Sequence, residues 1–358
     1  MRYRAAQTLV YSRAEGALVG CNFLAKSVFN CDPDLVAFLG GLSEWSTFEE
    51  IAEMMGELSG EDARATLGAL VNVSAVVEEG SELAKLEDDF RSGWKWGLPA
   101  AMMHFCVQNP DYMSLEESQA LQREKATRGP QPKLFTRNDR RIVTELPEPR
   151  DGSELVELMA RRRTVRAAGE PTITLKQLSD CLYAGMGITG HTSNGIVKLP
   201  LGMTPSGGAR NPYEAYVYAA NVEGLTPGFY HYSGFDHDLG LIETNQRPKL
   251  SELVGGQDWA DEMPCMILLC ASLDRTMWKY DDPNGYRVVL IEAGHIGQNI
   301  MLAATRHGLA ACPTAALSHS KIRECLSMEG ITDTPVYALT LCVPGVEAGV
   351  TQPLRAAG

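Results

Sequence analysis

The chain has 358 residues, of which 44% are hydrophobic and 22% charged, so it is long enough for one large domain and a smaller one around sizeable cores. Its net charge of −13 argues against a protein that mainly coats nucleic acid, and no stretch approaches the roughly 20 apolar residues that cross a bilayer. The nine cysteines are scattered without a CxxC pair or paired Cys/His spacing, and the amino terminus has no continuous apolar segment, so we expect a cytoplasmic protein with neither a disulfide framework nor a metal site.

Residues 1–83 are predicted to form a small winged-helix-like docking module. GALVGCNFL is strand-like, and STFEEIAEMMGEL begins a helix with Ser46 as N-cap and Glu49 three residues later, which is a capping-box pattern. A second helix begins in the same way at Ser59 and Asp62, and a closing strand follows it before a Glu-Glu-Gly turn.

This first module is acidic. Residues 1–95 contain 8 Lys and Arg against 16 Asp and Glu, and no helix in them is basic. The charge favours docking of a protein or peptide over DNA binding, and a unit that only covers the core is the alternative.

Residues 84–150 are predicted to be a helical segment followed by an extended linker. The helical part, up to about residue 127, carries Trp94, Trp96, His104 and Phe105. Four prolines then punctuate a stretch with few periodic apolar positions, which is typical of a connector.

From residue 151 to residue 358, helical and strand patterns alternate. SELVELMARRR, TLKQLSDCLYAGM and the long YRVVLIEAGHIGQNIMLAATRHGLA are helical, and the last of these is closed by Gly308. YEAYVYAANV, GFYHYSG, MILLCASL and VYALTLCVPG are strand-like. Helices interleaved with short strands predict an α+β sandwich.

Residues 185–190, GMGITG, match the GxGxxG pattern of dinucleotide-binding sites. That motif works only after a strand and at the start of a helix, whereas here it follows a helix and lacks an acidic partner at the expected offset. We interpret it as a helix C-cap and turn.

The run RRRTVR at 161–166 places four arginines within six residues of an acidic protein. Arginine forks pair bidentately with phosphate oxygens, and a threonine hydroxyl adds a donor. The alternative is a solvated helix end, where cations are favoured by the helix dipole.

The stretch TPSGGARNPYE at 204–214 precedes a strand. Adjacent glycines let the backbone approach a flat ligand, and Ser206 and Arg210 offer donors. A plain turn is the alternative.

Lys279 and Tyr280 lie just before a Pro/Gly break and the longest helical run. The pair is either a turn-flanking surface patch, with Lys279 lying along Trp278, or a proton-transfer device. His104, His231 and His295 are interpreted as hydrogen-bonded core residues rather than acids.

The order RRxTxR, PSGGARNP, GFYHY, WKY, EAGHIGQN and HGLAACPTAAL resembles the nitroreductase superfamily of FMN enzymes, and most of all its SagB-type dehydrogenase branch. The resemblance covers roughly residues 85–358, and the first 80 residues resemble winged-helix modules that precede this domain in some members. It implies a nitroreductase-like FMN-binding sandwich, an antiparallel-rich sheet flanked by helices, and an intertwined homodimer.

Carried over by position, the resemblance assigns cofactor-binding and catalytic residues. It implies that the FMN phosphate end is held by Arg162, Arg163, Thr164, Arg166 and, near the carboxyl terminus, Arg355. It implies that the flavin ring lies against Pro205, Ser206, Gly207, Ala209, Arg210, Pro313, Thr314 and Ala315. Lys279 and Tyr280 match the Lys-Tyr pair of the azoline-oxidising branch.

The function that follows is oxidation of an azoline-type ring or related C–N bond in a peptide-derived substrate, with hydride transfer to flavin N5 and reoxidation by oxygen. The first module then recruits a peptide or a biosynthetic partner enzyme. The alternatives are an NAD(P)H-dependent nitro- or quinone reductase of the same fold, and a regulator that has lost its flavin.

Overall fold

The computed structural model describes residues 1–14, 16–56, 58–131, 144, 146 and 153–345. Its helices are α1 (Pro33–Gly41), α2 (Phe48–Met54), α3 (Gly60–Asn72), α4 (Glu82–Gly93), α5 (Gly97–Cys106), α6 (Leu115–Arg128), α7 (Glu154–Arg161), α8 (Leu175–Met186), α9 (Leu250–Leu253), α10 (Asp274–Met277), α11 (Asn284–Arg306) and α12 (His319–Leu326). Its strands are β1 (Arg2–Ala5), β2 (Leu9–Ala14), β3 (Ala17–Asn22), β4 (Ser27–Cys31), β5 (Ser46–Thr47), β6 (Val76–Glu78), β7 (Ala168–Glu170), β8 (Ile173–Thr174), β9 (Ile188–Ser193), β10 (Lys198–Gly202), β11 (Tyr213–Ala219), β12 (Val222–Glu223), β13 (Gly228–Ser233), β14 (Asp238–Leu241), β15 (Cys265–Ser272), β16 (Ala310–Thr314) and β17 (Asp333–Pro344).

The amino-terminal part contains two small antiparallel sheets, β5-β1-β6 and β2-β3-β4, packed with α1, α2 and α3. The second predicted N-cap is confirmed, because the Ser59 hydroxyl accepts a hydrogen bond from the Asp62 amide. The first was wrong by one residue. Ser46 is paired in β5, so the capping box of α2 is formed by Thr47 and Glu50.

A buried ion pair joins β1 to α4. The Arg4 Nη1 atom lies 2.7 Å from Glu87 Oε2, and the two side chains are 4% and 0% exposed. The other carboxylate oxygen of Glu87 accepts hydrogen bonds from the Gln7 amide and from the amide and hydroxyl of Thr8. One buried carboxylate therefore binds a guanidinium and three further donors at this turn.

The large sheet has seven antiparallel strands in the order β14-β13-β11-β15-β17-β16, with β7 on the outer part of β17. The fully buried β15 lies in its middle, and its side chains alternate between two cores. Ile267 and Leu269 face the core that includes α8 and α11, whereas Met266 and Leu268 face the core that includes α9 and α12. The α+β sandwich with an antiparallel-rich sheet flanked by helices is confirmed.

Helix α11 is the long helix predicted from the sequence, and it ends where Gly308 adopts a φ of +70°. Among the described residues it is the one helix long and apolar enough to cross a membrane, contrary to the expectation that no stretch is. Val289, Ile296 and Ile300 bury its inner face in the core, as in a core helix.

The glycine motif at 185–190 behaves only partly as predicted. Helix α8 ends at Met186 with Gly187 as its C-cap, so no helix begins at the motif and a dinucleotide site is excluded there. The following residues are not a turn but the start of β9, which pairs with β10 in a hairpin that the sequence patterns did not reveal.

The helical segment predicted from residue 84 is formed by α4, α5 and α6, whereas residues 132–143, 145 and 147–152 of the connector lie outside the described residues. The domain boundaries at 83 and 150 therefore stay predictions.

The buried Arg4–Glu87 pair yields a stability prediction. We expect Glu87→Ala to lower the free energy of unfolding by about 3–5 kcal/mol, because it leaves a buried guanidinium without its counter-ion and the amides of Gln7 and Thr8 without their acceptor. Urea denaturation measures this, with Glu82→Ala as the control. That residue makes only an exposed pair with Lys85, so its loss costs no more than about 0.5 kcal/mol. Equal effects of the two substitutions would contradict the prediction.

Candidate active site

The glycine-rich loop 205–211 is held against α11 by one carboxylate. Gly207 donates its amide to Glu292 Oε2 at 3.2 Å, and the Ser206 side chain also hydrogen-bonds to this carboxylate. A Cβ atom on Gly207 would stand 2.7 Å from Val288 Cγ1, so the backbone lies directly on the helix. Burial raises the pKa of Glu292, and the hydrogen bonds from Ser206 and Gly207 oppose that rise.

The same loop lies against the Lys-Tyr pair. At Gly208, which has a φ of +63°, an added Cβ would stand 2.5 Å from both Lys279 Nζ and Tyr280 OH. Only a glycine satisfies both the backbone angle and this approach. Two motifs some 70 residues apart in sequence, PSGG and WKY, are thus parts of one site.

The loop is closed by further contacts around the pair. The Arg210 guanidinium lies over the Trp278 ring, 5.2 Å from its centroid, and Arg275 Nη1 donates to the Asn211 carbonyl at 2.9 Å. Lys279 itself is exposed and its Nζ lies 5.2 Å from the Tyr280 ring centroid. A lysine that acts as a general base is expected to be buried. The described residues of a single chain do not bury Lys279 in this way.

A cavity of about 120 Å³ opens behind the loop. Glu214 lies in its wall, bound to Arg275 and, at 2.7 Å, to His231 Nε2. Burial favours the neutral carboxyl of Glu214, but the hydrogen bonds and charges of these two partners outweigh it and lower the pKa. The hydrogen bond to Glu214 raises the pKa of His231. No sequence spacing pointed to this cluster, because its members come from three different elements.

The arginine run ends α7 as predicted, and its members have different surroundings. Arg163 Nη1 donates to the carbonyls of Ala160 and Arg162 at 2.8 and 2.7 Å, so it caps the helix end. The Arg166 guanidinium lies 5.7 Å from the Trp259 ring centroid. Thr164 is half-buried between them. The position of Arg163 therefore agrees with the interpretation of the run as a helix end, whereas Arg166 extends from the run toward Trp259.

A chain of hydrogen bonds leads from the arginine run to the loop at 313–315. Trp259, beneath Arg166, donates to Gln257 Oε1 at 3.2 Å, and Gln257 Nε2 donates to Thr314 Oγ1 at 3.3 Å. Pro313 and Thr314 end β16, and Ala315 follows as an exposed residue. Neither Trp259 nor Gln257 was predicted from the sequence.

Helix α11 carries both groups of predicted residues. Glu292 binds the glycine-rich loop, and Gly297, five positions later, packs against Tyr337. Burial raises the pKa of Tyr337, and the charge of Arg162 opposes that rise. Five residues of helix correspond to about 7.5 Å along the axis. The structure thus brings the loop that contains Pro205, Ser206, Gly207, Ala209 and Arg210 to Lys279 and Tyr280, and links Arg166 to Thr314 through Trp259 and Gln257. Arg355 lies outside the described residues.

Beneath the start of α11 lies a buried imidazole. His104 Nδ1 is 3.3 Å from the Tyr286 hydroxyl and its Nε2 is 3.0 Å from the Gln108 amide nitrogen. Burial, with the charges of His319 and Arg323, lowers the pKa of His104 to about 3. It is a neutral core residue. Within the described residues no cluster of His, Cys, Asp or Glu could hold a metal ion.

Residues 159–344, slightly more than half of the chain, match the nitroreductase family. Among relatives, "Putative nitroreductase MJ1384" of Methanocaldococcus jannaschii is 30% identical over 177 residues, which are 49% of this chain and 85% of that protein.

Two further relatives have names that refer to peptide processing. Trifolitoxin-processing protein TfxB of Rhizobium leguminosarum bv. trifolii is 30% identical over 147 residues, 38% of this chain and 38% of that protein. Microcin B17-processing protein McbC of Escherichia coli is 29% identical over 148 residues, 40% of this chain and 53% of that protein. The chain therefore spans about half or less of these two proteins.

The buried His104 yields a prediction of pH dependence. Since its pKa is about 3 in the folded chain, against 6.5 for an ordinary histidine, the unfolded chain binds the extra proton between these values. The contribution of neutral His104 to the free energy of unfolding is thus fully present above pH 6.5 and is lost as the pH falls. His104→Asn removes this term, so the stability gap between the wild type and the variant should narrow by about 2 kcal/mol between pH 7 and pH 5.

Urea denaturation at both pH values measures that gap. His191→Gln, at an exposed histidine, is the control and should leave the pH dependence of the wild type unchanged. A gap for His104→Asn that is the same at both pH values would show that His104 takes up its proton in the folded chain.

Proposed function

The chain belongs to the nitroreductase family, and from that premise we propose that it is an FMN-dependent dehydrogenase of the SagB type. Its substrate is an azoline ring or a related C–N bond in a peptide-derived natural product. Members of the family are oxidoreductases that generally bind flavin. The observation that carries the proposal is the contact of Gly208 with Lys279 Nζ and Tyr280 OH, which joins the ring-binding loop to the pair typical of azoline oxidation.

The relatives support a peptide-derived substrate. TfxB and McbC are named for processing trifolitoxin and microcin B17, and each is about 30% identical to this chain over the matched part. We assign to this chain the same general class of substrate, a ribosomal peptide or a fragment of one.

The described residues fit FMN. The arginines at the end of α7, Arg162 and Arg166, offer guanidinium groups for a phosphate, with Thr164 as a further donor. The backbone of Gly207 and Gly208 offers a surface without side chains, against which a flat ring can lie. We assign the second wall of the ring site to Pro313, Thr314 and Ala315. When bound, FMN supplies the hydride acceptor, N5, and passes the electrons to oxygen.

The chain's own residues position the substrate and move its proton. Oxidation of an azoline removes a proton from one ring carbon and a hydride from its neighbour. Molecular oxygen accepts the two electrons and is reduced to hydrogen peroxide. Lys279 Nζ and Tyr280 OH meet at Gly208, so both can reach a substrate atom held over the loop. Because Lys279 is exposed, the substrate or a second copy of the chain must cover it before it acts as the base.

The proposal includes partners. A homodimer completes the flavin site, and the amino-terminal module docks the peptide or a biosynthetic partner enzyme. Its acidic charge of 16 Asp and Glu against 8 Lys and Arg over residues 1–95 suits a basic segment. We place the protein in the cytoplasm.

A second candidate function is an NAD(P)H-dependent nitro- or quinone reductase. It is favoured by MJ1384, whose name is that of a nitroreductase and of which this chain covers 85%. Anaerobic NADPH distinguishes the two functions, because it bleaches the flavin of a reductase rapidly and leaves that of the oxidase yellow.

FMN binding depends on the arginine run. We expect the purified protein to bind FMN noncovalently, and Arg166→Ala to weaken binding by about 10- to 100-fold, because a charge-assisted hydrogen bond to phosphate is lost. Titration of the apoprotein followed by flavin fluorescence measures this. Arg64→Ala removes the same charge in the amino-terminal module and should leave the affinity unchanged. A colourless protein that fluorescence shows not to bind FMN would overturn the whole proposal.

Proton removal depends on Lys279. We expect Lys279→Ala to bind FMN normally and to oxidise a synthetic peptide with one thiazoline at least about 100-fold more slowly, as is typical for loss of a general base. Loss of two hydrogens by mass spectrometry and release of hydrogen peroxide are the readouts. Lys176→Ala, at an exposed lysine of α8, is the control. A Lys279→Ala variant that retains the wild-type rate would contradict the assignment of Lys279 as the general base.

A further inference from the structure

Tyr280 is held from below by a side chain far away in the sequence. Trp96, which is 1% exposed, donates its indole N–H to the Tyr280 carbonyl oxygen at 2.7 Å. Its ring also lies under Gly285, where an added Cβ would stand 2.8 Å from Trp96 Cζ2. One indole therefore fixes both ends of the turn between the Lys-Tyr pair and α11.

The turn has few other means of keeping its position. The Tyr280 amide donates to Thr276 in α10 and the Gly285 amide donates to Asp282, so both bonds are local in sequence. Lys279 is exposed on its outer side. Among the hydrogen bonds of the described residues, the one from Trp96 connects the Tyr280 backbone to a segment that is distant in sequence.

Trp96 belongs to a segment that touches the candidate site at a second place. We name residues 96–112 the brace. At its far end the Tyr112 hydroxyl accepts the Leu317 amide at 3.1 Å, and the Asn109 side chain exchanges two hydrogen bonds with Ser320. These residues follow directly on the loop Pro313–Ala315, so the brace spans both walls proposed for the ring.

The brace also packs against the amino-terminal module. Lys26 donates to the Gln108 carbonyl, and the Phe23 ring packs on Phe105 with centroids 6.2 Å apart. The module and the site thus share one packed segment.

We propose that Trp96 is a positioning residue for the reaction, which sets the place of Tyr280, and with it Lys279, through the Tyr280 carbonyl. The inference rests on the proposed function. A displacement of about 1 Å in a reacting group is enough to slow an enzyme by about 100-fold, so loss of this one bond affects the chemical step rather than peptide binding.

The experiment compares two pairs of variants in the full-length, FMN-loaded protein. Trp96→Phe removes the indole donor, and its control Trp94→Phe removes a bond of the same kind to the nearby Gly97 carbonyl, 3.0 Å away. Gly285→Ala presses a methyl group into the Trp96 ring, and its control Gly294→Ala, on the same helix, meets no atom within 4 Å.

The first readout is oxidation of the synthetic thiazoline peptide. We expect Trp96→Phe and Gly285→Ala to lower kcat by at least about 10-fold with KM within about twofold, while oxygen reoxidises the reduced flavin at the wild-type rate. The two controls keep the wild-type kcat. Equal kcat values for Trp96→Phe and Trp94→Phe would refute the role of Trp96.

The second readout needs no turnover. Hydrogen exchange at the Tyr280 and Gly285 amides should be faster in Trp96→Phe than in the wild type and unchanged in Trp94→Phe. If the wild type does not oxidise the peptide, the proposed function fails while this measurement still decides whether Trp96 holds the turn. Unchanged exchange in Trp96→Phe overturns the inference.

Discussion

One buried carboxylate on the central helix organises the site. Glu292 is 5% exposed and accepts hydrogen bonds from the Ser206 side chain and the Gly207 amide, so the glycine-rich loop cannot leave α11 without abandoning a buried acceptor. With the loop held there, Gly208 must lie against Lys279 and Tyr280. The position of the proposed catalytic pair is thus a consequence of how one loop is tied to one helix.

The loop is tied at an energetic cost. Ala209 and Asn211 have φ values of +53° and +47°, where residues with a Cβ atom are disfavoured by roughly 1 kcal/mol each. Side-chain hydrogen bonds from Asn211 to the Ala209 and Pro200 carbonyls, and its amide bond to Ser206 Oγ, offset that cost. A strained loop that is so fully bonded holds one conformation, which suits a surface on which a flat ring must rest.

Much of the fold could be predicted from the sequence because its periodic patterns are strong. The nearly continuous apolar run MILLCASL and the long apolar face of α11 led directly to β15 and to the core helix. The β9–β10 hairpin was missed since its exposed residues alternate weakly, and the α2 cap was misplaced because Ser46 and Thr47 are equally good caps by chemistry. Backbone pairing of Ser46 in β5 decides between them, and such pairing depends on Tyr3 in β1, which is distant in sequence.

The site was harder to predict, for a physical reason. The motifs PSGG and WKY are recognisable as residue types, but the contact between them depends on the lack of a Cβ atom at Gly208. The sequence shows that this residue is a glycine, but it does not show which side chains approach it. Glu292 and Gln257 act through hydrogen bonds to residues that are distant in sequence, and such bonds leave no periodic signal. Trp96 reaches a carbonyl 184 residues away, and its chemistry there is that of a backbone partner.

Through these contacts, a segment from the amino-terminal half of the chain positions the proposed reacting groups. The brace packs against the module through Phe23, holds the Tyr280 turn through Trp96 and meets the segment between β16 and α12 at Leu317 through Tyr112. A brace that only covered the core would need neither of the bonds from Trp96 and Tyr112, because apolar burial alone is non-directional. Directional bonds at both walls of the site are what a positioning element requires. The brace therefore belongs to the site in the same sense as the glycine-rich loop, since each places a reacting group that it does not itself contain.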